Sequence, residues 1–390
     1  MRPRRNRQAG AGLAAAALAL ALALAACSSA ASSSPSTTAP SASAVDAGGA
    51  TSSEVSAAEA AVQAASVIPT TIPVTQALPS APPKGKTVLY LQCEEQSCGE
   101  EGAGLKAAAA VIGWNVKVLN FQAANPATLV SALQTGLQYH PVAAFFSGVP
   151  QEAWQSEQKA YAAAGAVIIA NYNATVATGV GVEPGRGYGA TNAAIGTVLA
   201  DEQIANSGGA PAKSLVVNVP AYTLFVPMAD TYKATIAKDC PGCQVTEDDF
   251  TLPQLFGGHL VPAIVSAAKR ISGLKYIVSV NGSFTDTLPG ALKAAGLAGK
   301  FQLITGRGVS TDQQNVLDGT QLSTYSGPLT LGGWQDMDEA IRIVMHLPIP
   351  PGDGVVPAVL LTKSNIGTPR DSYDVPADYP SLFEKLWHVG

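Results

Sequence analysis

Charged residues are scarce in this 390-residue sequence, where Asp, Glu, Lys and Arg together make up 13%. The chain also has no basic block beyond four arginines near its start: from Cys27 onward it carries 19 basic and 28 acidic residues, a net charge of −9. This argues against nucleic acid as a partner, because a surface that binds nucleic acid needs clustered lysine and arginine.

Enzyme signatures are missing as well. The sequence has no Gly-x-Ser-x-Gly elbow, no His-Glu-x-x-His, no phosphate loop and no dinucleotide fingerprint. The glycine-rich Gly185–Gly189 does not follow a first strand as a nucleotide loop does, and Glu247–Asp249 is typical of a solvated turn. These absences predict a binding protein rather than an enzyme, and no cofactor.

The first 26 residues have the pattern of an export signal. Four arginines within the first seven residues precede an apolar run of 14 residues, Leu13 to Ala26, which is shorter than the roughly 20 residues of a membrane span. The run ends in Leu-Ala-Ala-Cys27, which resembles the bacterial lipoprotein signal. The resemblance implies cleavage before Cys27 and acyl chains on its thiol, which anchor the protein on the outer face of the cytoplasmic membrane. An ordinary secretory signal cleaved elsewhere and an uncleaved anchor are the alternatives.

Residues 27–83 are rich in Ser, Ala, Thr and Pro and are predicted to be a mostly disordered tether. Ser28–Gly49 cannot bury enough apolar area to offset the entropy of the chain. Ser52–Ser66 is the exception, because its apolar residues fall on one helix face after a capping residue, Ser53. Ile68–Pro83 holds five prolines and is expected to run extended to the edge of the folded body.

From residue 85, apolar runs alternate with helical patterns, which indicates parallel strands buried on both faces. The first strand is Thr87–Gln92, followed by a loop over Cys93–Gly99 and a helix over Glu100–Ile112 that Gly113 ends. Four such units precede a glycine-rich break at Gly179–Gly189, and a second set follows it. Two sets imply an α/β fold with two doubly wound parallel-sheet lobes and a cleft between them.

The remaining elements follow the same alternation. The predicted strands are Val116–Asn120, Val142–Phe146, Ala166–Ala170, Ser214–Val219, Gln244–Thr246, Lys275–Val280 and Phe301–Gly308, and the predicted helices are Pro126–Tyr139, Gln151–Ala164, Asn192–Asn206, Pro227–Asp239, Gly258–Ser272 and Leu288–Lys300.

Three phrases between residues 276 and 334 carry a family resemblance. They are YIVSVNGSFTDTLPGALKAAGL, LITGRG and DGTQLSTYSGPLTLGGW, each weak alone but in the expected order. Together with the element order over Lys86–Leu361, they resemble the type 1 periplasmic-binding fold of ribose- and galactose-binding proteins. The resemblance implies a three-segment hinge near Gly187–Thr191, Ser326–Leu329 and Val355–Leu360.

The resemblance also divides the chain. Lobe one is expected to be 84–188 plus 328–357, lobe two 189–327 plus 358–368, and 369–390 a C-terminal extension. In the extension, Leu382, Phe383, Leu386 and Trp387 are spaced for a short helix that docks on a lobe.

In the binding cleft the chain departs from the family's pattern. Asn171-Tyr172 stands where relatives have Asp-Arg, and Met228 stands about where they have an arginine at the start of a helix. Gly282 replaces the aspartate that follows Asn281 in relatives, and Arg307 replaces the aspartate of their Gly-Phe-Asp-Gly stretch. A plain pentose or hexose is therefore less favoured than an anionic or less hydroxylated ligand. The predicted ligand-binding residues are Glu94, Glu95, Phe146, Asn171, Tyr172, Tyr222, Asn281, Phe284, Arg307 and Ser326.

Two alternatives stay open for these residues. Arg307 can pair with Glu94, Glu95 or Asp286 across the cleft instead of with ligand. The strand-end aromatics Phe146, Tyr172, Tyr222 and Phe284 can be core rather than stacking platforms.

After Cys27, four cysteines remain: Cys93, Cys98, Cys240 and Cys243. An even number in an oxidising compartment predicts disulfides, of which the local pairs 93–98 and 240–243 are the simplest of three possible sets. Cys-Pro-Gly-Cys follows its helix, whereas a catalytic redox pair precedes one. The four histidines, His140, His259, His346 and His388, are scattered, so no metal site is expected.

These observations predict an extracytoplasmic, monomeric solute-binding lipoprotein that captures a small, polar, sugar-like molecule between its lobes and delivers it to an ABC transporter permease. The alternative is a sensory lipoprotein that presents its ligand to a membrane receptor.

The lipid anchor is testable by substitution. Cys27→Ala should move the protein from the membrane fraction to the soluble extracytoplasmic fraction, because it removes the only thiol at the signal boundary. Fractionation and labelling with a radioactive fatty acid measure this, and labelling unchanged by the substitution would refute the anchor.

Overall fold

Two parallel sheets, each buried between layers of helices, form the centres of two lobes in the computed structural model, which describes residues 48–390. The predicted signal, Cys27 and the first part of the tether lie outside the described residues. No helix within 48–390 combines the length and apolarity needed to cross a bilayer.

The sheet of lobe one has the strand order β2-β1-β3-β4-β5 and is parallel throughout. The sheet of lobe two has the order β11-β10-β9-β8-β6-β7, with only β11 antiparallel to its neighbour. The predicted α/β fold with two doubly wound lobes is thus confirmed. The strands are β1 Thr87–Gln92, β2 Asn115–Asn120, β3 Ala143–Ser147, β4 Val167–Asn171, β5 Val182–Glu183, β6 Lys213–Asn218, β7 Gln244–Asp249, β8 Leu274–Ser279, β9 Gln302–Gly308, β10 Ser323–Ser326 and β11 Leu360–Leu361.

Helices cover both faces of each sheet. The helices are α1 Ser52–Ala65, α2 Gln96–Ile112, α3 Pro126–Gly136, α4 Gln158–Ala163, α5 Gly189–Ser207, α6 Val226–Asp239, α7 Leu252–Phe256, α8 Leu260–Arg270, α9 Leu288–Ala294, α10 Ser310–Leu317, α11 Leu329–Val344 and α12 Tyr379–Leu386. Of the predicted boundaries, the first strand matches in full, whereas α2 begins four residues earlier than expected, at Gln96. The predicted helix over 151–164 is two 3-10 turns followed by the short α4.

Between residue 84 and β11 the chain passes between the two lobes at three places. It does so between β5 and α5, between β10 and α11, and between residue 354 and β11. The last two passages run side by side: Ser326 N donates to Val359 O at 2.8 Å, and Val359 N donates to Ser326 Oγ at 2.8 Å. These passages coincide with the expected hinge segments, whose bending remains a prediction.

The N-terminal segment 48–83 differs from the expectation of a mostly disordered tether, because it is packed against the body. Its helix α1 begins after Thr51, not Ser53, and Thr51 and Glu54 cap each other in a capping box. Ile72, Val74 and Leu78 are buried. Composition alone missed this packing, since a few apolar residues at the right spacing suffice once a surface is present to receive them.

This segment contacts lobe two first and lobe one afterwards. α1 packs on α5, and Ala50 N donates to Gly209 O at 2.9 Å. Further along, Gln76 O accepts from Arg342 Nη2 at 2.5 Å, and Leu78 N donates to Leu386 O at 2.9 Å. Residues 48–83 therefore form a further connection between the lobes, beside the three passages.

The C-terminal tail forms the docking helix that its apolar spacing predicts. α12 packs on α11, where the Trp387 ring stacks on Trp334 with centroids 5.4 Å apart. Trp387 is fully buried, and its Nε1 donates to Asp338 Oδ1 at 2.6 Å. The tail thus covers an outer face of lobe one.

The cysteines pair locally, Cys93 with Cys98 and Cys240 with Cys243. Cys240 is the residue that ends α6, so this pair closes the turn after a helix.

Trp387→Ala tests how firmly the tail is held. Removing this buried indole leaves a cavity and leaves Asp338 Oδ1 with only the longer contact to Arg342 Nη2, at 3.5 Å. The substitution should lower the free energy of unfolding by about 3–5 kcal/mol. Phe256→Ala is the matched control, because Phe256 is 42% exposed, and it should change stability by less than about 0.5 kcal/mol. Urea denaturation measures both, and equal losses would contradict the docking.

Candidate ligand-binding cleft

A cavity of about 90 Å³ lies between the lobes, at the carboxyl ends of the parallel strands. Lobe one contributes Glu95, Ser97, Glu101, Ser147, Tyr172 and the Cys93–Cys98 disulfide. Lobe two contributes Tyr222, Leu224, Phe225, Asn281, Ser283, Arg307 and Val309, and the second passage adds Gly327 and Leu329. Strand β1 leads into the loop that places Glu95, and β8 leads into the loop that places Asn281.

Two residues in the cavity wall have left-handed backbone that L-residues rarely adopt. Tyr172 follows β4 with φ 54°, and Arg307 lies near the end of β9 with φ 22°. The guanidinium carbon of Arg307 lies 5.8 Å from the Tyr172 ring centroid and 4.5 Å from that of Tyr188. Such conformations cost about 1–3 kcal/mol each and cluster at binding sites. The backbone therefore presents both side chains at one point of the cleft at the expense of local strain.

Arg307 is held by an amide rather than by an acid. Asn192 Oδ1 accepts from its Nε at 3.2 Å and from its Nη2 at 2.9 Å, and Asn192 Nδ2 in turn donates to Leu224 O at 2.6 Å. No carboxylate within the described residues lies within 4.0 Å of the guanidinium, so the ion pair with Glu94, Glu95 or Asp286 does not form in this structure.

Behind the cavity lies a buried charge cluster, defined here as Arg186, Glu101 and Asp336. Arg186 Nη2 lies 3.0 Å from Glu101 Oε1 and also forms an ion pair with Asp336. The side chains are at most 2% exposed. Asn171 adds two contacts, donating from Nδ2 to Asp336 Oδ1 at 2.8 Å and accepting at Oδ1 from Arg186 N at 2.9 Å.

Both oxygens of the Glu101 carboxylate have partners, Oε1 in this cluster and Oε2 in lobe one. Ser147 Oγ donates to its Oε2 at 2.6 Å, and Tyr90 Oη lies 3.1 Å from the same oxygen. Burial raises the pKa of Asp336 well above its ordinary range, while the Arg186 guanidinium opposes that rise and Glu101 adds to it. Two carboxyl groups and one guanidinium therefore share a site that water does not reach.

One hydrogen bond joins the lobes across the mouth of the cavity. Tyr222 Oη donates to Glu95 Oε1 at 3.1 Å. Burial raises the pKa of Glu95, the Tyr222 hydrogen bond lowers it, and Glu94 and Asp286 raise it further. The Tyr222 ring is supported from below by Phe284, stacked at 6.1 Å, and by the edge of Phe225 at 6.3 Å. Tyr222 and Glu95 thus bridge the two lobes at the cavity.

Of the ten predicted ligand-binding residues, Glu95, Tyr172, Tyr222, Asn281 and Arg307 line the cavity. Phe284 lies one layer behind, supporting Tyr222, and Asn171 lies behind the wall in contact with the charge cluster.

The other three lie elsewhere. Phe146 is core of lobe one, packed edge-on against Trp154 at 5.3 Å. Ser326 joins the second and third passages, and Glu94 accepts from Ala123 N at 2.9 Å in a neighbouring groove. The predicted strand ends lie at the edge of the sheet where the cavity is. Successive side chains of a strand point to opposite faces of the sheet, so a residue near a strand end need not face the cavity.

Sequence reasoning missed Glu101, Ser147 and the anchor Arg186. Glu101 falls inside the predicted helix Glu100–Ile112, and nothing in the sequence pairs it with a residue 85 positions away. Arg186 carried one usable signal, since it stands between Gly185 and Gly187 in the break between the two sets of units. A Cβ on Gly185 would lie 2.7 Å from Asn171 Oδ1, so glycine is what lets this backbone approach the cluster.

Two α/β lobes joined by several passages, with the cavity at the carboxyl ends of their strands, define the two-lobed type 1 periplasmic-binding fold, and solved structures share it. The chain is similar to the 5-methylthioribose transporter solute binding protein from Thermotoga lettingae TMO, in complex with 5-methylthioribose, with a TM-score of 0.63 and 15% identity over 80% of this chain and 100% of that chain. It is also similar to an ABC transporter solute binding protein from Agrobacterium vitis with bound D-fucose, with a TM-score of 0.62 and 17% identity over 73% and 97%.

A third similar structure is the Caulobacter myo-inositol binding protein bound to myo-inositol, with a TM-score of 0.61 and 18% identity over 72% of this chain and 94% of that chain. No family model and no curated protein matches the sequence. At these identities the likeness establishes the fold.

Arg186→Gln tests the charge cluster. It leaves Glu101 and Asp336 buried without their cation and should lower the free energy of unfolding by about 3–5 kcal/mol near neutral pH. An acid whose pKa is raised by folding keeps its proton in the folded state after the unfolded chain has lost it, so stability falls as pH rises through that range. The loss should therefore be larger at pH 8 than at pH 5, as measured by urea denaturation.

Adding Asp336→Asn to Arg186→Gln is the control, because it removes one of the two stranded carboxyl groups. It should recover part of the loss at pH 8. A loss that is the same at both pH values would show that the cluster is held by packing rather than by charge.

Proposed function

We propose that this protein is an extracytoplasmic solute-binding lipoprotein that captures a small, polar, sugar-like or sugar-derived molecule between its lobes and delivers it to an ABC transporter permease. The single observation that carries the proposal is the cavity itself: side chains from both lobes converge on it, and Tyr222 and Glu95 meet across its mouth. A molecule held there touches both lobes only when the cleft is shut.

Closure is the conformational change that a partner protein can recognise. Since ligand contacts from both lobes exist only in the shut form, binding shifts the population toward it. The three passages between the lobes provide the segments that bend, and the packed segment 48–83 limits how far the lobes separate. A permease that recognises the shut form then receives only loaded protein.

Three further observations support the details. The similar structures named above are two ABC transporter solute-binding proteins and a myo-inositol binding protein, each with a small ligand bound. The sequence ending in Cys27 supports export and lipid anchoring. The disulfides support an oxidising compartment.

Ligand-induced closure is measurable by small-angle scattering. The radius of gyration of residues 27–390 should fall when a binding solute is added, because the lobes close on it. Tyr222→Phe removes the hydrogen bond across the mouth, which is worth about 0.5–1.5 kcal/mol, and should weaken binding by roughly 2- to 13-fold. Tyr139→Phe, far from the cleft, is the matched control and should bind as the unmodified protein does.

A radius that does not change with any bound solute would refute closure. Delivery is separated from sensing in cells: loss of the gene should abolish uptake of the labelled ligand. Unchanged uptake together with a lost transcriptional response would favour the sensory alternative.

A further inference from the structure

Arg307 is a buried cation without an acid partner in the wall of the cavity. It is 7% exposed, and its hydrogen-bond partner in the described residues is the neutral amide of Asn192. The Tyr188 and Tyr172 rings offer it cation–π contacts at 4.5 and 5.8 Å, which compensate desolvation only in part. A buried charge needs a counter-charge or full hydrogen bonding. The remaining room for one lies in the cavity.

The acids that line the cavity do not fill that role. Glu101 is paired with Arg186, and its second oxygen accepts from Ser147. Glu95 accepts a hydrogen bond from Tyr222. Burial raises the pKa of Glu95, which favours its neutral form over the carboxylate that Arg307 would need. Asp286, which was a candidate partner, accepts from Thr287 N at 2.7 Å instead.

The rest of the wall is largely apolar. Leu224, Phe225, Val309 and Leu329 surround the cavity together with the Cys93–Cys98 disulfide. The neutral polar side chains of the wall are Ser97, Ser147, Tyr172, Tyr222, Asn281 and Ser283. Ser147 and Tyr222 already donate to Glu101 and Glu95. The volume of about 90 Å³ is well below the roughly 300–1,000 Å³ of drug-sized sites. Such a wall fits a compact body with few hydroxyl groups better than a fully hydroxylated hexose.

The free part of the Arg307 guanidinium limits the charge that the ligand can carry. The Nε edge of Arg307 is occupied by Asn192, so only the far end of the guanidinium is left for a partner. One free guanidinium end balances one negative charge, whereas the second charge of a dianion such as a phosphate monoester would stay unpaired in the cavity.

We propose that the ligand is a small monocarboxylate with a compact, mainly apolar body, and that Arg307 binds its carboxylate. This inference rests on the proposed function as a solute-binding protein. It departs from the sugar-like ligand given there, because it replaces most hydroxyl groups of the solute with apolar surface. Asn192 is a positioning residue, because it fixes the guanidinium while Tyr188 supports its face.

The test is isothermal titration calorimetry with matched pairs in which a neutral group replaces the carboxylate. The pairs are 4-hydroxybenzoate with 4-hydroxybenzamide, phenylacetate with phenylacetamide, 2-hydroxyisovalerate with its amide, and D-galacturonate with D-galactose. At least one acid of the first three pairs should bind 10-fold or more tightly than its amide, a difference of about 1.4 kcal/mol. D-galactose should not bind more tightly than D-galacturonate.

Arg307→Gln should weaken binding of that acid by at least 10-fold and leave its amide unchanged within about 3-fold. Arg307→Lys keeps the charge and should keep the preference for the acid. Arg270→Gln is the matched control, because its side chain is 67% exposed on lobe two, and it should bind as the unmodified protein does. The ratio of acid affinity to amide affinity is measured on the unmodified protein. A folding defect in Arg307→Gln therefore does not affect that comparison.

The outcomes separate the two proposals. Binding of neutral sugars or amides at least as tight as that of their acids, with compaction in scattering, overturns the carboxylate ligand and leaves solute binding intact. The same holds if Arg307→Gln binds the acid normally. If no compound binds and none causes compaction, the solute-binding function itself is overturned.

Discussion

The ion pairs of Arg186 with Glu101 and Asp336 join three parts of the chain that sequence separates widely. Glu101 lies on α2, Asp336 on α11, and Arg186 on the first passage between the lobes. Since α11 follows the second passage, the cluster ties two of the passages to the body of lobe one. The cluster also adjoins the cavity wall: Glu101 lines the cavity, and the Tyr172 ring centroid lies 5.5 Å from the guanidinium carbon of Arg186.

Close packing of α2 on α11 makes this cluster possible. A Cβ on Gly104 would lie 2.0 Å from Thr330 O, and one on Gly333 would lie 2.3 Å from Glu101 O, so glycine on both helices lets their backbones touch. The two terminal segments complete the arrangement from outside. α12 covers α11 on lobe one, while residues 48–83 run from α5 of lobe two to the same region. The lobes are therefore connected by more than the three passages between residue 84 and β11.

Much of the fold follows from local pattern. The alternation of apolar runs with helical spacing predicted two doubly wound lobes, the first strand to the residue, and the docking helix of the tail. Boundaries were less certain where backbone geometry depends on neighbours: α2 starts at Gln96 rather than Glu100, and residues 151–164 form only a short α-helix. The packed state of residues 48–83 was missed, since low apolar content was weighed without the surface that receives Ile72, Val74 and Leu78.

By itself the sequence determined the class of fold, the edge of the sheets at which polar groups gather, and the presence there of Tyr172, Tyr222, Asn281 and Arg307. Period and spacing are local properties, and local properties suffice for these. Only the tertiary structure decided which groups meet: that Arg307 is held by Asn192 and has no acid, that Glu101 is neutralised by Arg186, and that Phe146 and Ser326 lie away from the cavity. Pairing of charges depends on distances between residues far apart in the chain, which no local pattern contains.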